Sequence, residues 1–283
     1  FISTPDMTVT RNTNRWRSGF GYGGKITWGG GADKVVVLNV KPNACGMLVG
    51  GLDKLPDSFK LIKKIHNMVK EKLTIDGVEV EWDFHRSNHF INILKVEPAA
   101  DSKTDLPPYA FIIHGSAPEY RADNETGFGL YYDKSRQLAE MASKIKTPFG
   151  ELSYLVGEDA RKYFRRYTEA DKFTNKKRTL AAKLLFEEFD EITNRTHQGM
   201  LNINEALLGC HPVKATGEIF PITLRGDLPA YLVRGKPNMT PETIESIGFE
   251  KRAKRLGVYQ RLLKADILPH GGGYNFPDIV SVN

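Results

Sequence analysis

Stretches with β-strand character fall into two blocks of this chain, on either side of a long charged stretch with helical spacing. The β-type stretches are apolar and rich in β-branched residues, and they lie at residues 35–40, 90–96, 109–114, 219–224 and 230–233. Strands grouped in this way, rather than alternating with helices, are typical of the α+β class. The pattern therefore predicts one α+β domain over residues 1–283, with mixed β-sheets and a helical insertion at about 127–192.

Helical spacing of apolar residues predicts several long, charged helices. The first begins near Asp57 or Ser58, either of which can cap its N-terminus, and runs to residue 73. The remaining helices are expected at residues 130–144, 158–174, 176–189 and 241–264. Pro148 and Gly150 separate the second helix from the third, because both residue types interrupt helices.

The composition is that of a globular protein, with 40% hydrophobic and 26% charged residues, which excludes a fibrous or disordered chain. A formal net charge of +6 suits a polyanionic partner. No apolar run approaches the roughly 18 residues of a membrane span, and two cysteines are too few for a disulfide framework. We therefore expect a cytoplasmic protein that is not associated with a membrane.

Histidine and cysteine residues follow or end the apolar stretches. Five of the seven histidines lie at strand ends or in loops of small polar residues, namely His89, His114, His197, His211 and His270. Cys45 also follows an apolar stretch. Loops at strand ends are where a rigid scaffold presents functional groups. Each residue alone is more often structural, but together they indicate a metal site with imidazole and thiolate ligands.

Two glycine-rich motifs match known sites only in part. Gly19, Gly21 and Gly24 have the spacing of a dinucleotide-binding loop, but that loop needs a preceding strand and a following helix. The sequence from His270 to Gly273 is similar to an esterase oxyanion loop, yet the chain has no G-x-S-x-G nucleophile motif. Neither chemistry is expected here.

The order of the chemically distinctive segments resembles that of the RtcB family, the GTP- and manganese-dependent RNA ligases of tRNA splicing and RNA repair. The matching segments are Cys45-Gly46, Asn88-His89-Phe90, His114-Gly115-Ser116, Ala170 to Asn175-Lys176, His197-Gln198, residues 221–226 and His270 to Gly273. They span roughly residues 19–275. Seven motifs in the same order are far more specific than any one of them.

The resemblance implies a set of ligands and a nucleophile. The ligands of one or two Mn²⁺ ions would be Cys45, His89, His114 and His197. His270 would attack the α-phosphate of GTP and carry the guanylate. The other nucleotide-binding residues would be Asn88, Thr223, Gly271, Gly272 and Gly273. The implied partner is RNA, whose 3′-phosphate or 2′,3′-cyclic phosphate end would be joined to a 5′-hydroxyl end.

Several residues depart from the family pattern. Pro42 replaces the metal-binding aspartate, Asn92 replaces a glutamate of the nucleotide pocket, and Tyr274 replaces an arginine. A nearby carboxylate such as Asp33 or Asp83 could replace the lost aspartate. Two alternatives therefore stay open: a metal-dependent phosphoesterase acting on nucleic-acid ends, and a catalytically silent RNA-binding relative.

Basic residues add a further indication of RNA binding. Near the N-terminus, cations interleave with aromatic residues at Arg11, Arg15, Trp16, Arg17, Tyr22 and Lys25. Such a pattern is typical of proteins that bind single strands. The helical blocks 161–166, 172–178 and 251–255 carry more positive charge, although basic helix faces are often simply solvated.

Overall fold

The largest part of the fold is an antiparallel sheet that carries three of the predicted metal ligands, Cys45, His114 and His197. The computed structural model describes residues 1–8, 20–29, 34–84, 88–98, 106–148, 150–223 and 228–271. Its strands are β1 (Ile2–Thr8), β2 (Tyr22–Thr27), β3 (Val35–Val37), β4 (Cys45–Leu52), β5 (Thr74–Ile75), β6 (Val78–Glu79), β7 (Phe90–Lys95), β8 (Tyr109–Gly115), β9 (Ser143–Thr147), β10 (Gly150–Val156), β11 (Asp190–Asn202), β12 (Glu205–Leu208), β13 (Cys210–Pro212), β14 (Ile219–Thr223), β15 (Ala230–Arg234) and β16 (Ile267–Pro269). Its α-helices are α1 (Ser58–Lys70), α2 (Arg136–Met141), α3 (Gly157–Leu185), α4 (Pro241–Ser246), α5 (Glu250–Arg255) and α6 (Tyr259–Leu262).

The main sheet has seven strands in the order β1-β2-β12-β11-β4-β8-β7. Smaller sheets form from β3-β10-β9, β13-β16, β14-β15 and β5-β6. The α+β class is confirmed. Within the described residues each paired strand is antiparallel to its neighbour, so the sheets are antiparallel rather than mixed.

Helix α3 is the long element that covers the centre of this sheet. It packs against β11, β4 and β8. The residues that it buries repeat at helical spacing, as Tyr163, Tyr167, Ala170, Phe173 and Ala181 illustrate. Packing of this apolar stripe on the sheet creates the main core. The helix also buries two cations, Lys177 and Arg178, behind the strands that carry the site.

Several predicted elements are confirmed with small shifts at their ends. The apolar stretches 90–96 and 109–114 become β7 and β8, and 219–224 and 230–233 become β14 and β15. Helix α1 begins after Asp57, whose side chain accepts a hydrogen bond from the backbone N–H of Lys60. The stretch 35–40 is a strand only to Val37, because a 3₁₀ turn follows and Lys41 takes a left-handed conformation (φ 43°).

The predicted helix at 130–144 is wrong over most of its length. Only Arg136–Met141 is helical, and residues 143–147 form strand β9, which pairs with β10. Pro148 and Gly150 lie at the turn between these two strands instead of between two helices, and Gly150 has a positive φ of 125°. The helical insertion at about 127–192 thus contains a hairpin.

The helices predicted at 158–174 and 176–189 are one continuous helix of 29 residues, α3. Asn175, between them, is helical, and its side chain donates to the carbonyl of Asp171, one turn earlier. The helix predicted at 241–264 is instead divided into α4, α5 and α6. Gly248 (φ 73°) and Gly257 (φ 67°) end the first two, because their left-handed backbone cannot continue a helix.

No helix in the described part of the chain is long and apolar enough to cross a membrane.

Replacing Asp57 by alanine is expected to lower the free energy of unfolding by about 1 kcal/mol. The substitution removes the acceptor for the Lys60 N–H at the exposed start of α1. Urea denaturation measures the change, and Ser58→Ala serves as the control because Asp57 is the cap. Equal stability of the Asp57→Ala protein and the wild type would contradict the assignment of the cap.

Candidate metal centre

Cys45 is held at the start of β4 by a short, strained loop. Lys41 and Ala44 both have positive φ angles, 43° and 53°, a conformation that costs non-glycine residues about 1–3 kcal/mol each. Asn43 fixes this loop: its side-chain oxygen accepts from the N–H of Cys45 at 3.0 Å, and its carbonyl accepts from the N–H of Ala117 at 3.0 Å. Pro42, buried in the same loop, offers no side-chain donor atom to a metal.

Strands on both sides of β4 bring two histidines to Cys45. His114 lies on β8, where it pairs with Met47 of β4. On β11, Thr196 pairs with Gly46 and Gln198 pairs with Cys45, so His197 is the extra residue of a β-bulge. Bulges redirect a side chain and are frequent beside functional sites. His89, the residue directly before β7, is the fourth member of the group.

The four predicted metal ligands form one buried cluster. The sulfur of Cys45 lies 2.9 Å from Nε2 of His114 and 3.4 Å from Nε2 of His89. Nε2 of His114 lies 3.2 Å from Nε2 of His197. Donor atoms of Cys45, His114 and His197 all lie within 4.8 Å of one another, and the three residues are buried. This Cys–His–His group could hold a metal ion.

The hydrogen bonds around His114 leave the correct nitrogen available for a metal. Nδ1 of His114 lies 2.9 Å from the carbonyl oxygen of Asn88. Because a carbonyl oxygen only accepts, Nδ1 carries the proton, and Nε2 presents its lone pair to Cys45 and His197. Burial lowers the pKa of His114 well below the ordinary value, which favours the neutral imidazole that binds metals.

Asp83 orients His89 from the side away from the cluster. Its Oδ2 lies 2.8 Å from Nδ1 of His89 and accepts hydrogen bonds from the backbone and hydroxyl of Ser116. Burial opposes charge on both groups, but the charges of Cys45 and Asp83 raise the pKa of His89 to about 10. Asp83 therefore lies behind the candidate ligand His89, as the carboxylate does in a carboxylate–histidine–metal triad, and not at the position of a ligand itself.

A buried lysine of α3 supports Asp83. Nζ of Lys177 lies 3.4 Å from Oδ1 of Asp83 and 2.9 Å from Oε1 of Glu119, and all three side chains are buried. It also donates to the carbonyls of Glu81 and Ser116. Although burial raises the pKa of Asp83, His89 and Lys177 outweigh it and hold this pKa well below the ordinary value. The network keeps Asp83 ionised beside His89.

His270, the predicted nucleophile, lies at the His197 end of the cluster. The ring centroids of His270 and His197 are 4.6 Å apart. Nδ1 of His270 lies 3.1 Å from Oδ2 of Asp6, which also accepts from the N–H of Gly271 at 2.9 Å. Burial raises the pKa of Asp6, but these hydrogen bonds outweigh it and lower the pKa to about 2. An ionised Asp6 thus keeps the proton on Nδ1 and leaves a lone pair on Nε2.

Close backbone approaches fix the position of His270. A Cβ on Gly209 would lie 2.7 Å from Cε1 of His270, and one on Gly271 would lie 2.1 Å from the carbonyl oxygen of Thr223. The N–H of Thr223 donates to the carbonyl of His270 at 3.1 Å. Both glycines also have positive φ angles, 78° and 91°, so glycine is required for two reasons at each position.

The remaining predicted nucleotide-binding residues are placed only in part. Thr223 and Gly271 lie against His270, and Asn88 contacts His114 through its backbone carbonyl. Gly272 and Gly273 lie outside the described residues, as do Asp33, Tyr274 and the basic residues Arg11, Arg15 and Arg17.

His211 lies next to the cluster without the donor geometry of a ligand. Its Nε2 donates to the carbonyl of Pro221 at 2.8 Å, and its ring centroid lies 5.5 Å from that of His197. Burial lowers its pKa to about 3, so the ring is neutral.

Sequence reasoning missed Asp6 and Lys177 altogether, because neither belongs to a motif and each reaches the site only through the tertiary fold.

Comparison of the chain with known protein families, with curated proteins and with solved structures gives no match. The fold and the site therefore define the protein only as an α+β protein whose buried Cys45–His114–His197 group could hold a metal ion.

Proposed function

We propose that this protein is a divergent RtcB-like RNA ligase, which joins an RNA 3′-phosphate or 2′,3′-cyclic phosphate end to a 5′-hydroxyl end through a guanylate carried on His270. One observation supports the proposal above all others. The residue that the resemblance assigns as nucleophile lies 4.6 Å, between ring centroids, from the candidate ligand His197. The two histidines are 73 positions apart in the sequence, so no local pattern accounts for their meeting.

The donor atoms fit a divalent transition metal. Cys45, His89, His114 and His197 would hold it, and two of these ligands already have their far nitrogen fixed, by Asn88 or by Asp83. Sulfur and imidazole suit several metals, whereas Mn²⁺ prefers oxygen, so Mn²⁺ would take its further ligands from water and phosphate. When bound, the metal offsets negative charge on the reacting phosphate.

The chain's own residues account for the first transfer. Nε2 of His270 forms a bond to the α-phosphorus of GTP, and the bond from that phosphorus to the pyrophosphate oxygen breaks. Asp6 holds the proton on Nδ1 throughout and stabilises the positive charge that develops on the ring. The Nε2–phosphorus bond then breaks as an oxygen of the RNA 3′-phosphate takes the guanylate, and a 2′,3′-cyclic end must first be opened to this 3′-phosphate by water. The 5′-hydroxyl attacks the activated 3′-phosphorus, loses its proton to water, joins the RNA ends and releases GMP.

Two buried cysteines without a disulfide fit a reducing compartment. We therefore place this reaction in the cytoplasm.

Ligation of two synthetic RNAs tests the proposal. One strand ends in a 3′-phosphate and the other begins with a labelled 5′-hydroxyl, and both are incubated with the protein, Mn²⁺ and GTP. We expect a joined product on a denaturing gel, which disappears without GTP and with the His270→Ala protein. Lack of joining by protein that is fully loaded with metal would contradict ligase activity.

A metal-dependent phosphoesterase acting on nucleic-acid ends is the second candidate. It is favoured by one observation: in the described residues, no carboxylate belongs to the group that could hold a metal, and Pro42 stands where the family has one. Such an enzyme would need only the metal and a bound water. Loss of the terminal phosphate without GTP would identify it, whereas RNA binding with no reaction would identify a silent relative.

Replacing Asp6 by asparagine is expected to slow guanylate transfer to His270 by about 10²-fold or more, because the amide can hold the ring in the wrong tautomer. The rate of adduct formation, followed by mass spectrometry, measures the effect. Metal content should not change, because in the described part of the chain the Asp6 carboxylate hydrogen-bonds to His270, Gly271 and Thr4 and to none of the four candidate ligands. An unchanged rate would contradict the positioning role.

A further inference from the structure

A strongly basic surface lies on the segment that leads to His270. Residues 251–264 contain six cationic side chains and no carboxylate, and all six residues are exposed: Lys251, Arg252, Lys254, Arg255, Arg261 and Lys264. We call these six residues the basic patch. A patch of one sign of charge attracts a polyanion and speeds its association.

Three of the four cations on α5, namely Lys251, Arg252 and Arg255, have no ion-pair partner among the described residues. Lys254 pairs with Glu250 at 2.5 Å, and Arg261 donates to the carbonyl of Gly29 at 2.8 Å. By contrast, no carboxylate of the described residues lies within ion-pair distance of Lys251, Arg252 or Arg255. These three cations are therefore available to an external anion.

The basic patch is attached firmly to the strands that position His270. Nζ of Lys25, a buried residue of β2, donates to the carbonyl of Lys264 at 2.6 Å. Lys25 pairs with Ile2 of β1, and Asp6 lies four residues further along β1, or about 13 Å away. Lys264 and His270 are separated by six residues, which limits their Cα distance to about 20 Å.

Exposed apolar side chains lie among these cations. Phe249 is 52% exposed and Leu256 is 58% exposed, and both flank α5. Unpaired bases stack on exposed aromatic rings, and cations beside such rings contact the phosphates. This surface can therefore contact both the bases and the phosphates of a single strand. In a duplex the bases are paired, and the surface would contact mainly the phosphates.

We propose that the basic patch binds the backbone of a single-stranded RNA whose end reaches His270. The inference rests on the proposed function, because it assigns to that site the surface that receives its RNA. Since Lys264 lies within about 20 Å of His270, a strand that contacts Lys264 needs only a few nucleotides to place its end at the cluster. The basic patch would bind the RNA, and His270 would carry out the guanylate transfer.

The test compares two triple variants with the same loss of charge. Lys251→Gln/Arg252→Gln/Arg255→Gln removes the three unpaired cations of α5, and Lys60→Gln/Lys63→Gln/Lys70→Gln removes three exposed lysines of α1. Binding of a fluorescent uridine-rich RNA is measured by anisotropy over a range of KCl concentrations. Each lost phosphate contact costs about fivefold at about 0.1 M salt, so three cost about 100-fold and lower the salt slope by about 2.

We expect this loss in the patch variant and not in the α1 variant. Arg252→Lys/Arg255→Lys should keep the wild-type salt slope, because it preserves the charges. Equal slopes for the patch variant and the wild type, no RNA binding by the wild type, or binding only to phosphatidylserine vesicles would each overturn the inference. The last result would identify a membrane surface instead of RNA.

Guanylate formation on the same proteins separates this inference from the proposed function. The patch variant should form the His270 adduct normally, since no patch residue contacts His270. If the wild type forms no adduct but the patch variant still loses RNA binding, the inference stands and the ligase proposal fails. If the wild type forms the adduct and the patch variant binds RNA normally, the ligase proposal stands and the inference about the basic patch fails.

Discussion

Replacing Cys45 by serine is expected to weaken metal binding by at least about 100-fold. Its sulfur is the atom that touches two of the candidate ligands, at 2.9 Å from Nε2 of His114 and 3.4 Å from Nε2 of His89. A serine hydroxyl is a much poorer ligand than a thiolate for transition metals. His114 and His197 are buried and neutral, because burial lowers their pKa values, and His89 is paired with Asp83. None of them can replace the negative charge of a thiolate ligand.

Metal content by mass spectrometry and competition with a chelator measure this effect. Cobalt loading adds a second readout, because a thiolate ligand produces a sulfur-to-cobalt charge-transfer band that serine cannot give. Cys210→Ser is the matched control: Cys210 is also buried, but its sulfur contacts the carbonyl of Gly24, and burial raises its pKa to about 12. Equal metal loss in the two variants, or in neither, would contradict a centre built on Cys45.

Replacing Lys177 by methionine is expected to lower the free energy of unfolding by about 3–5 kcal/mol. The substitution leaves the carboxylates of Asp83 and Glu119 buried without their shared cation. An unpaired buried charge is costly because the protein interior does not replace its hydration. Since Asp83 also holds His89, the variant should bind metal more weakly as well as unfold more easily.

Lys176→Met provides the control for this prediction. The neighbouring lysine is exposed and pairs with exposed Asp76 at 2.7 Å, so its removal should cost less than about 1 kcal/mol. Chemical denaturation of both variants gives the comparison. A loss of similar size in the two proteins would show that the buried network contributes no more than a surface ion pair.

The sequence pattern predicted the strands that look apolar and missed those that do not. β7 and β8 are continuous apolar runs, but β4 contains Gly46, Gly50 and Gly51, which are typical of turns. The packing explains these glycines. A Cβ on Gly46 would lie 2.4 Å from the carbonyl oxygen of Arg195, and one on Gly50 would lie 2.4 Å from the ring of Phe111.

Strand β11 was missed for a related reason. Its thirteen residues are largely polar, and their burial comes from neighbouring strands and from α3, which a local pattern cannot reveal. The division of residues 241–264 into three helices follows from Gly248 and Gly257. Those two glycines were visible in the sequence and could have corrected the prediction of one helix.

The grouping of the candidate ligands was predictable, because it depends on motifs. Cys45, His89, His114 and His197 were proposed as one ligand set, and the fold brings them together. The residues that support the cluster were not predictable. Asp6 is 264 positions from His270, and Lys177 contacts Asp83 from helix α3, far away in the sequence. Such partners depend on sheet order and helix packing, which no short segment encodes.

The proposed ligase mechanism requires His270 to carry a guanylate beside a buried metal centre. Intact-mass spectrometry of the full chain after incubation with Mn²⁺ and GTP detects this adduct. We expect a mass increase of one guanylate in the wild type and in His66→Ala, which removes an exposed histidine of α1, and no increase in His270→Ala. An adduct on His270→Ala, or none on metal-loaded wild type, would contradict the proposed mechanism.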